Sequence, residues 1–161
     1  MAPDSRRRGR RPAALELDLS FGARRPWVPT AASLRTWARA ALTPAAKTWV
    51  LSVRIVGARA SRSLNARYRR KNKPTNVLSF TGVGAVPDGR NFLGELVICA
   101  AVVASEAAQQ GKSLRAHWAH MMVHGVLHLR GFDHERAAEA AKMESAEVQI
   151  LDRLGFSDPY R

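Results

Sequence analysis

The stretch VHGVLHLRGFDHE, Val123–Glu135, sets three histidines at the spacing H-x3-H-x5-H, with Gly131 between the last two. On a helix, His124 and His128 stand one turn apart on one face. A glycine tolerates positive φ cheaply, so a turn at Gly131 can end the helix and bring His134 in from outside it. Zinc is held by imidazole nitrogens at ~2.0–2.1 Å, and histidines at i and i+4 can converge on a single ion. The segment from Ala116 to Leu129 is apolar on every side, which is the pattern of a buried central helix. Ser113 is placed to open it and Gly131 to close it.

All five histidines of the chain fall between His117 and His134. His117, two turns before His124, is a candidate to line the same cleft without ligating. His120 lies to one side and reads as structural. The competing reading takes all of them as satisfied core histidines or as a pH-sensitive patch. Three histidines with a glycine-punctuated turn favour the metal, since an ion partners three buried imidazoles at once.

Three neutral ligands leave the full charge on zinc, and such a site lowers the pKa of bound water to ~7. A zinc peptidase of the familiar helix motif carries a catalytic glutamate directly after its first histidine. Gly125 stands there instead. That disfavours peptide hydrolysis, although Asp133, Glu135 and Glu95 remain as carboxylates that could substitute. Imidazole sites also accept nickel, copper or iron.

Charge is polarised along the 161 residues. The net charge is +13, yet from Leu19 to Pro87 there are thirteen lysines and arginines and no acidic residue. From Asp88 onward eight basic residues face ten acidic ones. An arginine-rich composition alone raises the number of cations but does not clear the acids from 69 consecutive residues. The asymmetry points to a polyanionic partner, with nucleic acid the first candidate.

The remaining sequence bounds the class. A hydrophobic fraction of 46% is ordinary for a globular protein. The single Cys99 excludes an internal disulfide framework and suits a reducing compartment. No apolar run approaches the ~18 residues of a membrane span, so no membrane role and a cytoplasmic location are expected. Residues 1–12 read as a disordered basic tail, a mitochondrial-type presequence being the alternative, and residues 13–161 as one domain.

Strands are expected at Ala14–Leu19, Thr48–Val56, Thr75–Phe80 and Phe92–Cys99, from alternation and β-branched content. Helices are expected at Thr30–Leu42, Arg59–Lys71, Ala100–Gln110, Ser113–Arg130 and Arg136–Leu154. Leu64 and Tyr68 form an i,i+4 pair for the core, and Pro74 bars the second helix from continuing. In the last helix Met143, Val148, Leu151 and Leu154 face inward. The order β-α-β-α-β-β-α-α-α predicts a single α/β domain: a small mixed four-stranded sheet with about five helices packed around it, one of them a zinc-hydrolase-like metal helix.

A metal centre beside an arginine-rich region suits a phosphodiester, because cations share the charge on non-bridging oxygens. Arg69, just before the turn into TNVLSF, is the candidate catalytic arginine. The segments LNARYRRKNKPTNVLSF (Leu64–Phe80), LGELVIC (Leu93–Cys99), HWAHMMVHGVLHLRGFDH (His117–His134) and KMESAEVQILDRLGFSDPY (Lys142–Tyr160) together resemble the YbeY family of metal-dependent bacterial endoribonucleases, also described as rRNA maturation factors. The resemblance implies zinc on His124, His128 and His134, and a functional role for Arg69. It also implies single-stranded RNA as substrate, with maturation of the 16S rRNA 3′ end and ribosome quality control as the setting, and the ribosome or its proteins as possible partners. Glu95 replaces the commoner aspartate of LGD, and Phe132 the commoner tyrosine. Two rival readings stay open: a metallopeptidase or other metallohydrolase, and a non-enzymatic ribosome-binding factor with structural zinc.

Overall fold

The apolar helix at the histidines organises everything around it. The computed structural model describes residues 14–43, 47–82 and 88–161. Its elements run β1 (Ala14–Phe21), α1 (Ala31–Ala40), β2 (Thr48–Val56), α2 (Ala58–Arg69), β3 (Val77–Thr81), β4 (Asn91–Cys99), α3 (Ala100–Gln110), α4 (Leu114–Leu129) and α5 (Ala137–Arg153). The sequence-derived order of strands and helices is the observed one, and the sheet is mixed and four-stranded as expected. The expected basic tail, residues 1–12, and most of the Gly/Pro loop before β4 lie outside the described residues.

The sheet has the order β1-β2-β4-β3. β1, β2 and β4 are parallel, and β3 is antiparallel to β4, with Val77 opposite Ile98 and Thr81 opposite Gly94. The β2–β4 register slips between Val50 and Leu51. Gly94, at φ 144°, follows that slip and passes so close to β3 that a Cβ there would meet the Phe80 carbonyl oxygen at 2.3 Å.

Strand alternation divides the apolar side chains between the two faces of the sheet. Leu51, Val53, Ile55, Leu96 and Ile98 join the large core with α1, α4 and α5. Val56, Leu78, Val97 and Cys99 form a smaller cluster with Leu64 and Phe80. Within the large core, α4 is covered on all sides: eleven of its sixteen residues are buried, Trp118, Met122, Val126 and Leu127 among them. Ser113 caps its start by accepting from the Ala116 N–H.

Two inward assignments are corrected. Tyr68 is 48% exposed, and the buried residues of α2 are Ser61 and Asn65. They are polar because α2 turns this face to the loop that follows it. Ser61 Oγ bonds both the N–H and the C=O of Thr75, and the Asn65 amide donates to the Lys73 carbonyl. In α5, Val148 is only half-buried, and Glu147 takes the core position between Met143 and Leu151. α2 ends within two residues of its expected bound at Lys71: its cap is Arg70, which adopts the left-handed conformation with φ 58°.

Candidate metal centre

The end of α4 is built by a glycine turn. Gly131, at φ 96°, donates its N–H to the His128 carbonyl at 2.9 Å, and Phe132 donates to the Leu127 carbonyl at 3.0 Å. This is the Schellman arrangement, which satisfies the last helical carbonyls while reversing the chain. Asp133 then accepts from the backbone N–H groups of His134 (2.7 Å) and Glu135 (3.2 Å). Asp133 is therefore a loop-shaping group, and the loop it shapes returns His134 to the helix.

One ligand atom each from His124, His128 and His134 lie within 4.8 Å of one another. The ring centroids are 4.7 Å apart for His124–His128, 4.8 Å for His128–His134 and 5.9 Å for His124–His134. Nitrogens around one tetrahedral ion are separated by roughly 3.3 Å, given zinc–nitrogen bonds of ~2.0–2.1 Å. Small side-chain rotations therefore suffice to close the set. Burial, followed by the neighbouring His124 and His134, holds the His128 pKa below the usual histidine value. That favours the neutral form a metal requires.

Behind this group stands a carboxylate that the sequence reading did not single out. Glu147 is fully buried. Its Oε1 lies 2.7 Å from His124 Nδ1 and its Oε2 lies 2.6 Å from His120 Nε2, and Oε2 also accepts from the Tyr160 hydroxyl at 2.6 Å. Burial alone would raise its pKa, but the hydrogen bonds from His120, His124 and Tyr160 bring it down to about 2. The Tyr160 hydroxyl is pushed up, by burial first and then by Glu147. An ionised Glu147 only accepts, so the proton of His124 sits on Nδ1 and its Nε2 lone pair is free. A carboxylate that orients a metal-binding histidine is the usual outer partner of such sites.

His120, His124 and Glu147 also form a group that could hold an ion. His124 belongs to both groups. The first is favoured because Glu147 is already committed to three short hydrogen bonds, and because His134 opens the first group to solvent. The donor set therefore fits a transition-metal ion on His124, His128 and His134.

The other candidates fall in different places. His117 is buried, with Nε2 3.4 Å from Glu106 Oε2, and is not in either group. Burial, only partly offset by Glu106, lowers its pKa. Glu95 pairs with Arg54 at 3.5 Å on the sheet face opposite α4, so it does not join the histidines. Arg69 is exposed at the end of α2, donates to the Ser79 carbonyl at 3.2 Å and lies 5.6 Å from the Phe80 ring centre. Phe80 belongs to the smaller cluster and stands opposite Glu95, so Arg69, like Glu95, lies on the sheet face away from α4 and is not brought to the histidines.

Gly125 has a packing reason. A Cβ there would come within 2.8 and 2.9 Å of the two Leu96 methyl carbons. The position after the first histidine thus presses against β4, where a side chain would have to displace Leu96.

A buried helix over a mixed sheet, ending in three imidazoles that could hold a metal ion, one of them bonded to a buried carboxylate, makes this an α/β protein with a candidate metal centre. Within that class the chain belongs to the endoribonuclease YbeY family, whose model matches residues 28–155. Endonucleolytic cleavage of RNA, in rRNA processing, comes with that membership. The chain is also similar to the solution structure of TM1509 from Thermotoga maritima, with a TM-score of 0.51 at 18% identity over 87% of this chain and 92% of that one. At that identity the likeness bears on the fold alone. No helix among the described residues is long and apolar enough to cross a membrane.

Proposed function

We propose that this chain is a zinc-dependent endoribonuclease that cuts single-stranded RNA, acting in the cytoplasm on the 3′ end of 16S rRNA and in ribosome quality control. The observation that carries the metal reading is the open three-histidine group, with His124 oriented by an ionised Glu147. His124, His128 and His134 would hold the ion, which supplies Lewis acidity at a scissile phosphate.

The chain's own groups do the rest. Glu147 keeps the His124 proton on Nδ1, and His120 and Tyr160 keep Glu147 in place. Arg69, exposed and held against β3, has guanidinium N–H groups to offer to non-bridging phosphate oxygens as negative charge develops. The acid-free run from Leu19 to Pro87 gives the RNA backbone a cationic approach. Peptidase action is the weaker reading because Gly125, packed on Leu96, offers no side chain to act as a base. Association with the ribosome is part of the same proposal, and residues 1–12 would form a basic tail outside a single domain.

The test is metal content measured beside cleavage of a short single-stranded RNA. Wild type is expected to purify with about one zinc and to cut. His128→Ala should lose both, and Arg69→Ala should keep the metal while losing turnover. Undiminished cleavage by metal-free protein would sink the mechanism.

A further inference from the structure

Tyr68 is one of three large apolar side chains exposed in the described structure. Its ring is held in place even so. It meets Phe80 edge to face, with centroids 5.2 Å apart at 71°, and the Arg67 guanidinium lies 5.3 Å from its centre. Phe80 in turn carries the Arg69 guanidinium, 5.6 Å from its ring. Two aromatic rings and two guanidiniums are thus interleaved at the end of α2. Arg70, Lys71 and Lys73 stand exposed beside them, and no acidic residue occurs from Leu19 to Pro87, although Glu95, paired with Arg54, stands opposite Phe80 in the sheet.

We propose that Tyr68 is a base-stacking platform: it takes one unpaired nucleobase of the RNA on its open ring while Arg67, Arg70 and Lys71 hold the neighbouring phosphates. The inference rests on RNA as substrate and adds the residue that makes an unpaired strand necessary. Stacking on an aromatic ring requires a base with a free face, and bases inside a duplex have none. An aromatic fixed by its neighbours loses little side-chain freedom on binding, so most of the stacking energy becomes affinity. The interleaved cations add sequence-independent attraction. The result is a site that recognises strandedness without reading sequence.

The test is binding of a short oligoribonucleotide containing 2-aminopurine to full-length, chelator-treated protein, so that no cleavage intervenes. Stacking quenches 2-aminopurine, and wild type and Tyr68→Phe are expected to quench it. Tyr68→Ala should bind about tenfold more weakly, lose the quench and keep the salt dependence, because it removes no phosphate contact. Arg67→Ala should keep the quench and flatten the salt dependence. Full quench and affinity in Tyr68→Ala would overturn the proposal. Should that variant not fold, wild type is titrated with oligonucleotides made abasic at each position in turn. One position must cost about tenfold, and uniform binding overturns the assignment. Protein that quenches but never cuts RNA on zinc loading would refute the zinc-endoribonuclease reading and leave the platform standing.

Discussion

At the scale of single residues, the centre is a contrast between what spacing reveals and what it hides. The grouping of His124, His128 and His134 was legible because spacing on a helix and across a glycine turn is a local pattern. Glu147 was not, because its partners lie 23 and 27 residues away. A weaker signal was available: Glu147 occupies a core-facing position of α5 between Met143 and Leu151, where an unpartnered carboxylate would be costly. Assigning the inward stripe to Val148 concealed it. Glu147→Gln keeps the shape and removes the charge that fixes the His124 tautomer. Zinc affinity, measured by competition with a chromophoric chelator, is expected to fall roughly 10–100-fold with the fold retained. Unchanged affinity would show that the carboxylate only fills space.

At the scale of elements, one device appears twice. After α4, Gly131 reverses the chain and Asp133 braces the loop that delivers His134. After α5, Gly155 at φ 88° does the same, Phe156 N–H bonding the Leu151 carbonyl at 2.9 Å. Asp158 then accepts from the Tyr160 N–H at 2.8 Å, and Tyr160 reaches Glu147. What the first turn delivers could be read from sequence because it is a candidate ligand, whereas the second, though its glycine is an equally plain helix stop, delivers a tyrosine whose role depends on a distant glutamate. The end of α2 uses no glycine. The helix ends at Arg70, short of Pro74, in a left-handed conformation that β-carbon sterics disfavour by roughly 1–2 kcal/mol. Arg70→Gly is therefore expected to stabilise the protein by about 1 kcal/mol, read as a higher urea midpoint, while weakening RNA binding through the lost charge. A lower midpoint would contradict the account of this cap.

At the scale of the whole molecule, composition and periodicity were enough for the order of elements and for a mixed sheet under helices, since each element buries its own stripe. They could not say which face of the sheet each charged residue joins: Glu95 belongs to the side away from the histidines, in a pair with Arg54. The charge asymmetry makes its own prediction. Arg59→Glu on α2 should weaken single-stranded RNA binding strongly at low salt, with the difference from wild type shrinking as salt rises. Arg153→Glu, at the far end of α5, should change little. Equal effects in fluorescence anisotropy would mean that the RNA does not follow the cationic half. Gly125 sets a limit of another kind. The helix lies so low on β4 that a Cβ at this position would come within 2.8 and 2.9 Å of the two Leu96 methyl carbons. Any side chain directly after His124 must therefore displace Leu96 within the core, so the missing β-carbon sets how closely the histidine helix approaches the sheet.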